Sequence, residues 1–421
     1  MNGRVNGRVN GNGVYPRRQR RRLEAYGLPE YLYEAYGRLV HLGISDRQAP
    51  MLTDAYSGRR LSYEQFRTHA ETLAASLGSE CGLTAGCAVA ILMRPSIDIP
   101  VIAVAAWIAR VSVSALSPEY TVAELCLMLG QHLPQVLFVS QTLLPLARQV
   151  LSELQPRSVD NYRPAIVVAD MGADIQHEDN VWGIRDLYTL RPGREVLGRR
   201  PQTLSEAEES TAVVYYIHHT ENGNVAVTPT PMSHRGVISL HKNTLRRTSS
   251  LPVVLSAQVN GVAYESDRSP SPASGDSEQA PGAAFAVLRM HAAFKLHKVM
   301  FDIFCKGARY YVSHVFDPAA FADIVAERGI VCAELTFAEI SRLIGHLRAT
   351  PAPQRAAQPE ADAAPAARVA DSASLHRLAS LRHVYTESGR AISELAPQLS
   401  ELLPGTRILR THYGSYVEQP I

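Results

Sequence analysis

CAVAILM (Cys87–Met93), VSVSAL (Val111–Leu116) and QVLFVS (Gln135–Ser140) are three short apolar runs, and what lies between them decides the fold. Each run is apolar on both faces, as a strand must be when helices cover both sides of its sheet. Between the first two, IDIPVIAVAAWIA (97–109) has helical length and almost no polar residue, so it reads as a buried helix. It is too short to span a bilayer, and Asp98 and Arg110 bracket its apolar centre. Between the second and third, Thr121 and Glu124 form a capping box that opens another helix. A helix over 142–154 and the strand AIVVAD (165–170) continue the alternation. Strands alternating with helices in this way predict an α/β protein of stacked α/β layers with largely parallel sheets.

Upstream, MLTDAY and the SGRR turn read as a hairpin, and Ser62 with Gln65 caps a helix whose Phe66, Ala70, Leu73, Ala74 and Leu77 share one face. Downstream, TAVVYYI (211–217) is another buried strand. Ligands of parallel sheets bind beyond the carboxyl ends of the strands, so the polar loop expected in HHTENGNVAVTPTPMSHRG (His218–Gly236) occupies a functional position. Farther on, Asp317 caps a helix running from Pro318 to Gly329, IVCAEL (330–335) and LRHVYT (381–386) read as strands, ESGRAISELAPQLSELLPG turns into a helix, and TRILRTHYGS runs a strand into a glycine turn.

Composition narrows the function classes. The 421 residues carry 42 Lys+Arg against 40 Asp+Glu, which gives no bulk electrostatic case for a nucleic-acid partner. Five scattered cysteines without CxxC spacing fit reduced thiols, hence an expected cytoplasmic location, and the shortness of the apolar run 99–109 gives the expectation of no membrane partner. Residues 1–22 repeat NGRV and end in RRQRRR, a composition expected to stay disordered. Arg17, Arg18, Arg20, Arg21 and Arg22 read as a solvated tail rather than a nuclear signal or RNA contact. Residues 1–45 are thus a basic tail and leading helix, and 46–421 one domain with mobile insertions at 266–283 and 350–373, both rich in Pro, Ala and Ser.

The order of blocks resembles the AMP-binding N-terminal domain of the adenylate-forming (ANL) superfamily: acyl- and aryl-CoA ligases, luciferases, peptide-synthetase adenylation domains and fungal adenylate-forming reductases. AYSGRRLSYEQFRTHAETLAASL is similar to their opening hairpin and helix, and SALSPEYTVAEL stands where they carry a Pro-containing turn before a helix. MHAAFKLHKVMFDIFCKGARYYVSHVFDPAAF is similar to the region of their aromatic-His motif, and LASLRHVYTESGRAISEL with RILRTHYGSYVE to their last nucleotide-side motifs. The resemblance covers about residues 50–421, and TPMSHRG and YGS lean toward the fungal reductases and ligases.

That resemblance implies an ATP/Mg cofactor and a small carboxylic acid or nucleotide as ligand. Family members hold the phosphates with a run of Ser/Thr and Gly followed by Pro-Lys, since Gly lets backbone N–H groups approach and Lys neutralises charge. Set without gaps back from Ser233, His234, Arg235 and Gly236, that run falls on Thr220, Glu221, Asn222, Gly223, Asn224 and Val225, and the lysine on Thr228. Glu221 would put a carboxylate among phosphate oxygens. A gapped register starts the run at His218 and His219 and still finds no lysine. The stretch reads as a plain polar loop rather than an ATP cradle.

The resemblance places an acyl-pocket wall at His291, Phe294 and Phe301, although a buried core histidine fits His291 equally well. It places an adenine-side wall at Thr386, Glu387, Ser388 and Gly389. Tyr413, Gly414 and Ser415 match the start of the family's Tyr-Gly-x-Thr-Glu, and one inserted residue would let Glu418 take the magnesium-binding role. Family members continue into a third subdomain with a ribose-binding acid, a hinge and a lid carrying a second lysine, none of which has a counterpart before Ile421. The resemblance therefore implies a truncated, degenerate homologue, inactive or strongly impaired, with a protein partner covering the truncated end. Its alternative is an active acyl-adenylate-forming ligase, or the adenylation part of a fungal reductase, completed by another polypeptide. A zinc site on His218, His219, His234 and His241 is a third reading, and it lacks ligand spacing. Limited proteolysis is expected to cut first within 1–22, 266–283 and 350–373. Early cleavage inside 87–140 would contradict this layout.

Overall fold

The computed structural model describes residues 27–154, 162–169, 180–189, 203–221, 224–248, 283–287, 295–349, 376–386, 389–412 and 415–417. The expected basic tail and the two expected insertions lie outside these residues, except that Ala283 begins a strand.

The described chain opens with α1 (Leu28–His41), whose Leu28, Tyr31, Leu32, Tyr36 and Leu39 are buried. The hairpin β1 (Pro50–Asp54) and β2 (Arg60–Ser62) leads into α2 (Tyr63–Ser79). Ser62 Oγ accepts from the Gln65 N–H at 3.3 Å and the Gln65 side chain accepts from the Ser62 N–H at 3.0 Å, which is the expected capping box. Next come β3 (Ala88–Leu92), α3 (Asp98–Ile108), β4 (Ser112–Leu116), α4 (Val122–His132), β5 (Val136–Val139), α5 (Leu144–Leu154) and β6 (Ala165–Val168). The Thr121–Glu124 box opens α4, and α3 is buried along almost its whole length. Short elements follow: β7 (Val181–Gly183), α6 (Ile184–Thr189) and α7 (Leu204–Glu209). Then come β8 (Thr211–Glu221), β9 (Asn224–Ser233), α8 (His234–Thr248), β10 (Ala283–Val287), α9 (Lys295–Lys306), β11 (Arg309–Ser313) and α10 (Pro318–Arg328). The Asp317 carboxylate caps α10 by accepting from Ala319 and Ala320, and Gly329 ends it in a left-handed conformation that a side chain would oppose. The chain continues through β12 (Ile330–Glu334), α11 (Phe337–Ala349), β13 (His383–Thr386), α12 (Gly389–Leu402), β14 (Arg407–His412) and β15 (Ser415–Val417).

The described strands form two sheets. One has seven strands in the order β7-β6-β5-β3-β4-β8-β9 and is parallel except for β8–β9. The other has eight, β15-β14-β13-β12-β10-β11-β1-β2, and is parallel except for its two outermost pairs. The largest apolar cluster takes Val89, Val113, Phe138 and Tyr215 from the first sheet, Leu52, Ala286, Val312 and Cys332 from the second, and the inner faces of α1, α2, α3, α8 and α9. Two smaller clusters cover the outer faces, with α10, α11 and α12 on the eight-stranded sheet and α4 and α5 on the seven-stranded one. The layers therefore alternate helix, sheet, helix, sheet, helix, and the leading helix α1 belongs to the central layer. No helix among the described residues is long and apolar enough to cross a membrane.

One expectation is overturned. The stretch 218–236, read from sequence as a polar loop, is mostly strand: β8 continues to Glu221, β9 returns from Asn224 to Ser233, and α8 begins at His234. Pro229 and Pro231 hide this in the sequence, because a proline demotes a run as a candidate strand unless the run lies at a sheet edge. β9 is such an edge.

The central helical layer encloses neutral imidazoles. The Leu28 N–H donates to His234 Nδ1 at 3.2 Å, which fixes the proton on Nε2, an atom without a partner among the described residues. His241 stacks on Phe301 with ring centroids 3.9 Å apart. Burial, reinforced by Arg110, pushes the His234 pKa down to about 4. Burial, reinforced by Lys306, pushes that of His241 down to about 3. Both groups bind a proton more readily in the unfolded chain, so their contribution to stability is complete above pH 6.5 and is lost as pH falls toward these values. Each costs about 1.4 kcal/mol per pH unit within that window. His241→Phe keeps a ring on Phe301 and removes a titrating group, and is expected to move the acid-unfolding midpoint to lower pH. An unchanged or higher midpoint would contradict this reading.

Candidate functional site

The carboxyl ends of β10, β12 and β13 lie side by side in the eight-stranded sheet. Parallel sheets present their ligand crevices at such ends. Glu334 closes β12, Thr386 closes β13, and Lys295 opens α9, the helix that follows β10. The Glu334 carboxylate lies 3.2 Å from Lys295 Nζ and 3.3 Å from Lys298 Nζ. Along the same helix Asp302 accepts from Lys298 at 3.0 Å, from Lys306 at 2.7 Å and from the Tyr310 hydroxyl on β11 at 2.9 Å. Burial pushes both carboxyl pKa values up, but the neighbouring ammonium groups outweigh it and hold both below the ordinary carboxylate value. Both acids stay ionised at neutral pH.

The opposite face of α9 joins the other sheet. The Tyr215 hydroxyl on β8 lies 2.5 Å from His297 Nδ1. Burial pushes the His297 pKa down to about 3, so the ring is neutral. These residues escaped the sequence reading, although Lys295, Lys298, Asp302 and Lys306 stand at the three- and four-residue spacings of one helical face.

The hairpin is the second part of the site. It pairs one residue to one from Glu221↔Asn224 back to Val213↔Met232, with a shift near Thr211. β8 meets β4 at Val113↔Val213, and Trp107 Nε1 of α3 donates to the Ala212 carbonyl at 2.8 Å. From α4, the Met128 carbonyl accepts the Tyr216 hydroxyl at 3.1 Å, and Gln131 Nε2 donates to the Val227 carbonyl at 3.3 Å. Both strands are thus held from the α4 side.

The expected site residues fare unevenly. Thr220 is in β8, opposite Val225, and Thr228 is exposed on β9, opposite Ile217. Gly389 is the first residue of α12, and Ser415 is the first of β15, opposite His412. Asn222, Gly223, His291, Phe294, Glu387, Ser388, Tyr413, Gly414 and Glu418 lie outside the described residues. Phe301 is buried between α1 and α8, stacked on His241 and edge-on to Tyr31, so it is core rather than an open pocket wall. Among the described residues no group of three or more His, Cys, Asp or Glu could hold a metal ion.

With this geometry in view, residues 45–216 match the family model of AMP-binding enzymes. No curated protein was found to match the sequence. The luciferase-like enzyme of the nonluminescent mealworm Zophobas morio has a similar structure, with a TM-score of 0.65 and 13% identity over 96% of this chain and 75% of that one. A long-chain-fatty-acid–CoA ligase of Archaeoglobus fulgidus follows at 0.63 and 13%, over 97% of this chain and 66% of its own. An ATP-bound RpMatB–BxBclM chimera gives 0.57 and 13%, over 90% of this chain and 59% of its own. This chain therefore corresponds to a part of each of these proteins. Over residues 45–216 its sequence is thus similar to AMP-binding enzymes, and its described residues share the fold of the luciferase-like enzyme and the fatty-acid–CoA ligase.

Proposed function

We propose that this protein is a degenerate relative of ATP-dependent carboxylate-activating enzymes, catalytically inactive or strongly impaired. One observation carries the reading. Of the residues that the family resemblance sets against ATP phosphates, Thr220, Glu221, Asn224, Val225 and Thr228 are committed to an antiparallel ladder from Ile217↔Thr228 to Glu221↔Asn224, while Asn222 and Gly223 lie outside the described residues. A phosphate cradle needs successive backbone N–H groups turned toward one point. A ladder turns them alternately toward and away from the partner strand. The charge is missing as well, since no lysine occurs from Thr211 to His241 and the exposed Thr228 stands in the lysine position. The described residues of the hairpin thus do not fit a triphosphate. Glu418, the magnesium-side acid of the resemblance, lies outside the described residues.

Removing one oriented donor from a site of developing charge costs roughly 2.7 to 4 kcal/mol, about a hundred- to a thousandfold in rate. Here a lysine and the open loop geometry are lost together, and such losses need not add. A second reading, an active ligase or the adenylation part of a fungal biosynthetic reductase completed by another polypeptide, is favoured by Lys295, Lys298 and Glu334. These buried charges persist at the strand ends where an acid would bind. On either reading the ligand class is a small carboxylic acid or a nucleotide.

The full chain with magnesium is expected to give no acid-dependent exchange of pyrophosphate into ATP across a panel of aryl, fatty and amino acids. Thr228→Lys should not restore it, because that change supplies a charge without opening the ladder. Measurable exchange by the unmodified chain would overturn the proposal in favour of the second reading.

A further inference from the structure

Among the described residues β9 is the outermost strand of the seven-stranded sheet, and it has ten residues. The other outermost strands among the described residues, β7, β2 and β15, have three each. A long unpaired edge is a template on which another strand can add.

The register identifies which backbone groups of β9 face outward. Glu221↔Asn224 closes the hairpin across two residues, and such a closing pair exchanges both hydrogen bonds, with bonded and non-bonded pairs alternating from there. Asn224, Ala226, Thr228, Thr230 and Met232 therefore bond to β8, while Val225, Val227, Pro229 and Pro231 direct their N and C=O groups away from it. Two observations agree with this parity. The Val227 carbonyl accepts from Gln131 of α4, a donor outside the hairpin. The one-to-one pairing also runs unbroken through Pro229↔Tyr216 and Pro231↔Val214, positions where a ladder that needed their N–H groups would fail.

We infer that Pro229, Pro231 and Gln131 close the outer edge of β9, so that the seven-stranded sheet does not extend into the sheet of a second copy of this chain. Of the four outward positions from Val225 to Pro231, two lack an N–H, and the Val227 carbonyl is already engaged. Both prolines are exposed, so neither is fixed by core packing. A second copy is the relevant strand donor because it always presents the same edge, at a concentration equal to the protein's own.

The test compares self-association of the full chain with that of the double variant Pro229→Thr/Pro231→Thr by sedimentation velocity over a wide concentration range. Restoring two outward donors is expected to strengthen self-association about tenfold or more. Equal association of parent and variant, once circular dichroism shows both folded, would overturn the inference. Thr230→Pro, on the bonded parity, should lower the denaturant midpoint, whereas Pro229→Thr alone should leave it near the parent's. The reverse pattern would overturn the parity assignment. Should the double variant not fold, amide exchange of the parent decides: Val225 and Val227 should exchange at least about tenfold faster than Ala226 and Thr228, the ladder protecting only the bonded parity. Equal protection of all four amides would contradict the inference.

Discussion

Every backbone N–H and C=O between Thr211 and Ser233 has to find a partner or water, and in this protein alternate residues from Val213↔Met232 to Glu221↔Asn224 find each other across the hairpin. That constraint organises the rest of the site. The same residues cannot form strands and also an open nest of donors around an anion. The pairing is reinforced from outside by Trp107 on the Ala212 carbonyl, by the Met128 carbonyl on Tyr216, and by Gln131 on the Val227 carbonyl. The hairpin is thus an integral edge of the sheet, braced by α3 at its base and by α4 along its length.

Helix α9 is what joins this edge to the second sheet. One face carries His297 to Tyr215 on β8, and the other carries Lys295 and Lys298 to Glu334 and Asp302 to Tyr310 on the eight-stranded sheet, with Lys306 paired to Asp302 along the helix. Burying these charges is tolerable because each carboxylate meets two ammonium groups, whereas removing one partner would leave a buried charge uncompensated. The imidazoles on the inner side remain neutral because burial opposes their charged form, and at His241 the nearby Lys306 adds to this and outweighs Asp302. The strand ends of β10, β12 and β13, where ligands of parallel sheets bind, are therefore bordered by the paired charges of Lys295, Lys298 and Glu334.

Much of the architecture is legible in the sequence. The capping boxes at Ser62 and Thr121, the cap at Asp317 with its stop at Gly329, and the doubly apolar strands of 88–139 are local signals, and each names its element without tertiary context. The hairpin is not legible, because Pro229 and Pro231 contradict a strand unless that strand is known to be an edge, and edge position is a property of the sheet rather than of the segment. The charged face of α9 is present in the sequence as a helical spacing, but Glu334 comes to it from another strand, and no periodicity within α9 announces that pairing. Phe301 shows the opposite failure: an aromatic at a motif position suggests a pocket wall, while the structure gives it to the core.

The central claim is that residues 217–228 serve a strand pairing and hold no triphosphate. Calorimetric titration of the full chain with magnesium ATP, read together with amide exchange over those residues, tests it most directly. The account predicts no saturable heat and a protection pattern that nucleotide leaves unchanged. A saturable isotherm accompanied by a change in protection confined to 217–228 would mean that the ladder opens to receive phosphate, and the account would be wrong.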